Sequence, residues 1–246
     1  MNASANRFEP ASLADSVPYR ALSHPLDNVI WNALTSRQCG LAEGDDLARR
    51  YDPAFARFGA LADMSSAALT ALSRLVARGE RVALLLCEDI EPGPHFVLVE
   101  RKDLMQMVGP AHGNVADPER FAVLSDADWP QIHDLARRTE PGPFCERTPE
   151  LGRFIGFKVD GRLVAMAGER MHLTSHTEIS AVCTDPAWRG RGLARDLILL
   201  ASRAIVARDE TPFLHVLPGN TSAVALYRRL GFLPRVTSRL ALLQRV

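Results

Sequence analysis

A short turn rich in glycine and arginine, between a β-rich segment and an amphipathic helix, constrains this chain most. Residues 178–184 read Glu-Ile-Ser-Ala-Val-Cys-Thr, and residues 189–194 read Arg-Gly-Arg-Gly-Leu-Ala. Gly190 and Gly192 let the backbone turn tightly and approach a ligand, so that amide hydrogens and the positive end of the following helix face phosphate oxygens. The pattern predicts a pyrophosphate site, although similar glycine pairs also occur in ordinary strand-to-helix turns.

Two common phosphate-binding loops do not fit this turn. A Walker loop needs Lys and then Ser or Thr after its last glycine, whereas Leu193 and Ala194 follow Gly192 here. A dinucleotide-binding turn needs an acidic residue at the end of the next strand, about twenty positions on. That strand is predicted to end with His-Val-Leu-Pro at 215–218. The sequence therefore indicates another kind of cradle.

The turn resembles the Arg/Gln-x-x-Gly-x-Gly/Ala signature of the GNAT superfamily of acyl-CoA N-acyltransferases. Arg189, Gly192 and Ala194 match that signature. The resemblance to the superfamily continues in a predicted strand at 212–216 and in a predicted helix that begins at Asn220.

Tyr227 stands seven residues after Asn220, at the spacing of the glycine-N-acyltransferase-like branch of the superfamily. The resemblance covers about residues 120–246. Two motifs in the right order make a chance match unlikely for this half of the chain.

The resemblance implies an α/β fold with a mixed, mostly antiparallel central sheet and flanking helices, forming an acetyltransferase domain over residues 119–246. A smaller α/β domain of unassigned role is predicted for residues 1–118, because turn formers cluster near its end. Within it, helical periodicity is predicted over 26–34, 44–51 and 65–77, and a strand–turn–strand unit over 82–99.

A binding site for acetyl-CoA, or another acyl-CoA, follows from the resemblance. In the superfamily two adjacent strands part, and the pantetheine arm enters between them. By resemblance the strand backbone contributes Val182, Cys183 and Thr184, the pyrophosphate turn contributes Arg189, Gly190, Arg191, Gly192, Leu193, Ala194 and Arg195, and Asn220 lies against the cofactor.

Three side chains are candidates for acid–base chemistry. By resemblance Tyr227 lies beside the cofactor's sulfur, and a phenol is protonated at neutral pH, so we predict that it is the general acid. Glu178 and His215 fall where different members of the superfamily carry their base, and either is able to take the proton of an acceptor ammonium through water. A structural role is the alternative for each of the three. The choice of base stays open, with Glu178 slightly favoured over His215 because a carboxylate is also able to hold the substrate amine.

Cys183 and the loop near 147 are weaker candidates. A cysteine beside a thioester allows an acyl-Cys intermediate, but strict strand alternation turns Cys183 away from Glu178 and Thr184. Direct attack in a ternary complex is therefore favoured. By resemblance Arg147 and Thr148 lie near the acceptor side.

Composition limits the partners. Lys plus Arg equal Asp plus Glu at 29 each, so no overall charge favours nucleic acid or an acidic membrane. The four cysteines have no C-x-x-C spacing, which argues against a zinc site, and no secretory or transmembrane segment is predicted. We expect a cytoplasmic enzyme, with no metal and a possible homodimer, that acts on a small-molecule amine or a peptide N-terminus.

Two alternatives remain at this point. One is an amino-acid N-acyltransferase of the glycine-N-acyltransferase type, and the other is a non-catalytic sensor that binds acyl-CoA. Tyr227 and Asn220 argue against the sensor, because turnover needs an acid and binding alone does not.

Overall fold

The computed structural model describes residues 24–246, which form five α-helices and eleven β-strands, joined by short 3-10 turns. The helices are α1 (Val29–Leu34), α2 (Ser66–Leu75), α3 (Trp129–Thr139), α4 (Leu193–Val206) and α5 (Thr221–Arg229). The strands are β1 (Ala42–Gly44), β2 (Ala48–Tyr51), β3 (Gly59–Leu61), β4 (Arg81–Leu86), β5 (Phe96–Val108), β6 (Phe121–Val123), β7 (Phe154–Val159), β8 (Arg162–His172), β9 (His176–Thr184), β10 (Thr211–Val216) and β11 (Leu233–Arg245).

An eight-stranded sheet forms the centre of the molecule. Its strand order is β4-β11-β5-β10-β9-β8-β7-β6, and every neighbouring pair is antiparallel except β10 and β9, which are parallel. The predicted mixed, mostly antiparallel sheet with flanking helices is confirmed. No helix among residues 24–246 combines the length and the hydropathy needed to span a bilayer.

Strands from both halves of the sequence share this sheet. β5 pairs with β10 over residues 105–108 and with β11 along its whole length, and β4 pairs with the other edge of β11. The first half also forms a separate three-stranded sheet, β1-β2-β3. The division after residue 118 stays a prediction, but backbone hydrogen bonds cross it throughout the central sheet.

The helix predicted over 44–51 is wrong, because this segment is a β-hairpin. Gly44 ends β1 at a φ of 121°, which an L-residue rarely adopts. The Asp45 carboxylate accepts hydrogen bonds from the amides of Leu47 and Ala48 at 2.8 and 3.1 Å and closes the turn into β2. These local side-chain bonds compete with helix formation.

The helix predicted over 65–77 is confirmed as α2. α2 begins after Ser65, whose hydroxyl accepts from the amide of Ala68. Asp160 and Gly161 both have positive φ and join β7 to β8, as an Asp-Gly hairpin turn requires.

Helices cover both faces of the central sheet. α4 and α5 bury Leu197, Ile198 and Tyr227 against one face, and α3 buries Ile132 and Leu135 against the other. On this second face the N-terminal residues form a neighbouring cluster that includes Leu26, Phe58 and Phe213. The functional strands β9 and β10 therefore lie between the helix pair and the N-terminal segment.

Candidate active site

The parallel strands β9 and β10 separate partway along their length. Their pairing covers only three positions and ends where Glu178 faces Phe213. β9 continues to Thr184 and β10 to Val216 without further pairing between them among the described residues. The edge of β9 beyond Glu178 is thus available for hydrogen bonds with an inserted ligand.

A β-bulge shapes this edge of β9. Ala181 and Val182 stand opposite the single residue Ala167 of β8, and Ala181 has a φ of 52°. As a result Ile179 and Val182 pack with α4, whereas Ala181 and Cys183 pack with α3. The strict alternation predicted for residues 178–184 is therefore wrong past Ser180, because the bulge reverses the faces.

The turn after β9 has the open backbone that an anion cradle requires. Gly190 and Gly192 have φ values of 76° and 77°, and a Cβ placed on either would meet no atom within 4 Å. Gly192 is the N-cap of α4, so the free amides and the positive end of a 14-residue helix lie at this turn. This geometry fits a pyrophosphate group.

The three arginines of the turn have different surroundings. Arg189 donates to the carbonyl oxygen of Thr184 at 3.3 Å, and the guanidinium of Arg191 lies 4.3 Å from the centre of the Trp188 ring. Arg195 pairs with Asp196 and donates to the carbonyl oxygen of Asn114 at 2.9 Å. Arg189 and Arg191 are exposed and face solvent at the turn, whereas Arg195 ties α4 to the loop after β5.

Cys183 is a buried thiol. It is 7% exposed, and burial raises its pKa to about 11. A thiol with that pKa is almost fully protonated at neutral pH and is a poor nucleophile. Thr184, the last residue of β9, has a buried hydroxyl oxygen without a hydrogen-bond partner among residues 24–246.

Glu178 and His215, the two candidate bases, belong to one buried network. His215 Nδ1 lies 2.8 Å from Glu178 Oε1, and Arg170 donates from Nε and Nη2 to the two carboxylate oxygens at 2.8 Å each. Burial alone would raise the pKa of Glu178. The positive charge of Arg170 and the hydrogen bonds from His215 and Arg170 outweigh burial and lower that pKa to about 2.

Gln106 fixes the tautomer of His215. The amide nitrogen of Gln106 donates to the carbonyl oxygen of Leu26 at 2.9 Å and lies 3.2 Å from His215 Nε2. Because an amide nitrogen only donates, Nε2 of the neutral ring accepts and Nδ1 carries the proton that Glu178 binds. The side chain of His215 is 3% exposed.

Tyr227 lies on α5, on the other side of the sheet from this network. It is 9% exposed, its ring contacts Phe232 edge to face, and burial raises its pKa to about 12. Its hydroxyl makes no hydrogen bond to another residue of the described chain. Asn220 is the N-cap of α5, and its side-chain oxygen accepts from the amide of Ala223 at 3.2 Å.

A shallow concavity, with only about 10 Å³ of water-accessible space, adjoins the bulge of β9. It is lined by Pro141, Gly142, Pro143, Phe144, Thr148, Phe154, Glu169, Arg170, Ser180 and Ala181. The predicted acceptor-side residue Thr148 is among them. Arg147 is not, because it pairs with Glu150 and lies over the ring of Phe55.

Comparisons with known proteins identify the family. Residues 155–240 match the family model described as FR47-like protein. A putative acetyltransferase from the GNAT family of Novosphingobium aromaticivorans DSM 12444 has a solved structure that is 37% identical, covers 91% of this chain and 99% of that chain, and superposes with a TM-score of 0.84. The chain belongs to the GNAT family.

The curated relatives that the chain resembles are named acetyltransferases. N-alpha-acetyltransferase RimI of Mycobacterium tuberculosis (strain ATCC 25618 / H37Rv) is 37% identical over 47% of this chain and 79% of its own length. A mycothiol acetyltransferase of Mycolicibacterium gilvum (strain PYR-GCK) is 38% identical over 53% of this chain and 52% of its own length. The chain thus spans about half the length of that relative.

The likeness to the GNAT structure extends beyond the C-terminal half. Because it covers 91% of the chain, it includes most of the N-terminal residues, which sequence reasoning left outside the family. The physical reason is that β4 and β5 belong to the same sheet as the strands of the C-terminal half.

Sequence reasoning also missed Arg170 and Gln106, which hold the two candidate bases. A signal for Arg170 was present, because Glu169-Arg170 interrupts the otherwise apolar run of β8. Charged residues are rarely buried unless they are paired, so such a pair predicts buried partners. Gln106 carries no comparable signal, because a polar residue late in a strand is ordinary.

Proposed function

We propose that this chain transfers an acetyl, or another short acyl, group from CoA to a primary amine. The observation that carries the proposal is the parting of β9 and β10 directly before the two-glycine turn at the start of α4. The nitrogen–carbon bond forms as the carbon–sulfur bond of the thioester breaks. The amine loses a proton to a base, and the departing thiolate gains one from an acid.

The residues present fit acyl-CoA. The unpaired edge of β9 at Val182, Cys183 and Thr184 offers backbone groups for the pantetheine arm. The amides from 190 to 195 offer donors for the pyrophosphate, with positive charge from Arg189 and Arg191. No metal is assigned a role in this proposal.

We assign the acid to Tyr227 and the base to His215, whose Nε2 takes the proton after the Gln106 N–H group bound to it has turned away. With a pKa of about 12, Tyr227 keeps its proton at neutral pH and has it available for the leaving thiolate. Glu178, with a pKa of about 2, is a weak base, so its proposed role is to hold the Nδ1 proton of His215. The buried, protonated thiol of Cys183 favours direct attack over an acyl-Cys intermediate.

The names of two relatives suggest which amines this chain acetylates. RimI carries the name N-alpha-acetyltransferase and the other relative the name mycothiol acetyltransferase, so both a peptide N-terminus and a small amine are supported as acceptors. Amino-acid N-acylation of the glycine-N-acyltransferase type remains the second enzymatic candidate, and an acyl-CoA sensor remains the non-catalytic one. A cytoplasmic location and a homodimer stay predictions.

Acetyl-CoA is expected to raise the melting temperature of the protein. A ligand that binds only the folded state stabilises it by about 2.7 kcal/mol at a concentration one hundred times its dissociation constant. Thermal unfolding with and without acetyl-CoA measures the shift, and isothermal calorimetry measures the binding. A folded protein that gives no heat with saturating acetyl-CoA would refute the proposed function.

Replacing Gly192 by Val is expected to weaken acetyl-CoA binding at least tenfold. The added side chain would stand in the open space over the cradle, and the φ of 77° would be strained for any L-residue. Gly79→Val is the matched control, because Gly79 has a φ of 79°, also has open space around it and lies outside the cradle. Equal loss of affinity in both variants would show that strain, not the cradle, is responsible.

A further inference from the structure

Asp185 stands where β9 ends and the two-glycine turn begins. Its amide donates to the carbonyl oxygen of Val164 on β8 at 2.8 Å, so its backbone is still tied to the sheet. Its carboxylate oxygen Oδ1 accepts from the amide of Ala187 at 3.0 Å, and its carbonyl oxygen accepts from the amide of Trp188 at 2.8 Å. These bonds form the 3-10 turn Pro186–Trp188, which leads directly into the cradle. Asp185 therefore fixes the direction in which the chain leaves the sheet.

The second carboxylate oxygen of Asp185 binds two arginines from other elements. Oδ2 accepts from Nη1 of Arg138, in the last turn of α3, and from Nη2 of Arg162, the first residue of β8. Nε of Arg138 also donates to Asp134, one helical turn earlier, at 2.8 Å. The guanidinium of Arg138 is thus held from both sides, and it ties the start of the cradle to α3.

Arg138 is the stronger of the two arginine partners. The side chain of Asp185 is 10% exposed, that of Arg138 is 26% exposed and that of Arg162 is 65% exposed. Exposed ion pairs contribute little because water screens them, so the bond from Arg162 adds less. A hydrogen bond between two ionised groups that are largely shielded from water is of the strong kind.

The cradle has few other bonds that would hold its entry in place. The amide of Arg189 lies 3.4 Å from the carbonyl oxygen of Pro186, which is long for a hydrogen bond. The amides of residues 190–195 make no backbone hydrogen bond to residues 24–246, and the two glycines of the turn add conformational freedom. The position of these amides therefore depends on the two ends of the turn, which are Asp185 and the first turn of α4.

We propose that Asp185 is a positioning residue for the pyrophosphate of acyl-CoA and acts through the turn without touching the ligand. Its carboxylate, held by Arg138, sets where the amides of residues 190–195 stand and therefore how well they donate to phosphate oxygens. This inference rests on the proposed acyl transfer. It makes α3, which contributes no residue to the cradle, part of the support of the cofactor site.

Charge and geometry predict opposite effects of neutralising Asp185. The carboxylate is negative and lies within a few residues of the site that we assign to a negatively charged pyrophosphate. If only charge mattered, neutralising it would remove a repulsion and strengthen the binding of acetyl-CoA. If its role is to position the turn, the same change weakens that binding.

Asp185→Asn distinguishes the two effects. Asparagine still accepts from the amide of Ala187, but it has one acceptor oxygen for three donors, and its own amide hydrogens face Arg138. We expect the dissociation constant of acetyl-CoA to rise about tenfold, the scale of a lost hydrogen bond to a charged group. Calorimetry measures the constant, and thermal unfolding without ligand measures the effect on the fold. An unchanged or lower dissociation constant overturns the inference.

A pair of acyl donors tests whether Asp185 acts through the pyrophosphate. S-acetylpantetheine carries the thioester arm but lacks the pyrophosphate and the nucleotide. With one good acceptor, kcat/KM of Asp185→Asn is expected to fall about tenfold for acetyl-CoA, through KM with kcat nearly unchanged, and to stay within about twofold for S-acetylpantetheine. Equal losses with both donors would place the effect in the strand or the fold and overturn the assignment.

Arg138→Met tests the support from α3 and leaves the carboxylate in place, so it carries the same test where Asp185→Asn does not fold. We expect weaker binding of acetyl-CoA in this variant and no further weakening when it is combined with Asp185→Asn. Arg137→Met is the matched control, because Arg137 is 77% exposed and pairs with Asp134 but not with Asp185. Losses that add in the double variant, or an equal loss in Arg137→Met, overturn the role of Arg138.

Binding to the wild-type protein separates this inference from the proposed function. A folded wild-type protein that does not bind acetyl-CoA refutes acyl transfer itself. A wild-type protein that binds acetyl-CoA, with Asp185→Asn and Arg138→Met binding it equally well, refutes only the positioning role and leaves acyl transfer standing.

Discussion

Tyr227→Phe is expected to lower kcat by about 10²–10⁴, the usual scale for losing a positioned general acid. Burial raises the pKa of Tyr227 to about 12, so at pH 8 only about one molecule in 10⁴ lacks the proton. The substitution removes that proton and keeps the ring against Phe232. Affinity for acetyl-CoA is expected to stay within a few-fold, and steady-state kinetics with calorimetry measures both quantities.

The folded state is expected to tolerate this change. The hydroxyl of Tyr227 has no partner among residues 24–246, so its removal leaves no buried group unpaired. Tyr51→Phe is the matched control, because the Tyr51 hydroxyl donates to Gln38 at 2.6 Å inside the N-terminal cluster. We expect Tyr51→Phe to lower the melting temperature and keep kcat. Full activity in Tyr227→Phe with a good acceptor would refute the assigned acid.

The fold of the C-terminal half follows from local patterns. The Asp-Gly turn after β7, the apolar stripe of α4 and the cap at Asn220 each specify an element through neighbours close in sequence. The segment 44–51 has apolar residues at Ala48 and Tyr51, a spacing of three that also occurs in helices, and both are buried in β2. The turn that Asp45 closes outweighs that period.

The candidate site is less accessible to sequence reasoning, because its partners come from distant strands. Arg170 on β8 and Gln106 on β5 meet Glu178 and His215 only after the sheet has formed. The bulge at Ala181 likewise depends on the pairing of β9 with β8. Its positive φ could not be predicted, because the segment contains no glycine or asparagine. The Gly190–Gly192 turn was predictable because its backbone freedom is local.

Glu178→Gln is expected to destabilise the protein by about 3–5 kcal/mol at pH 7, because it leaves the buried charge of Arg170 unpaired. The folded-state pKa of Glu178, about 2, lies below its ordinary value of 4.5. Its stabilising contribution is therefore complete above about pH 4.5 and is lost as the pH falls toward 2. Urea unfolding of both proteins at pH 7, 4 and 3 is expected to show a difference that narrows with acid.

A double variant and a kinetic profile complete this prediction. Arg170→Gln combined with Glu178→Gln removes both charges and is expected to be more stable than Glu178→Gln alone.

If His215 is the base, His215→Gln abolishes the acidic limb of the kcat/KM profile, whereas Glu178→Gln keeps that limb and lowers kcat/KM at every pH by the same factor. Loss of the acidic limb in Glu178→Gln, with an unfolding free energy like that of the wild type, would make the carboxylate the base and His215 its neighbour.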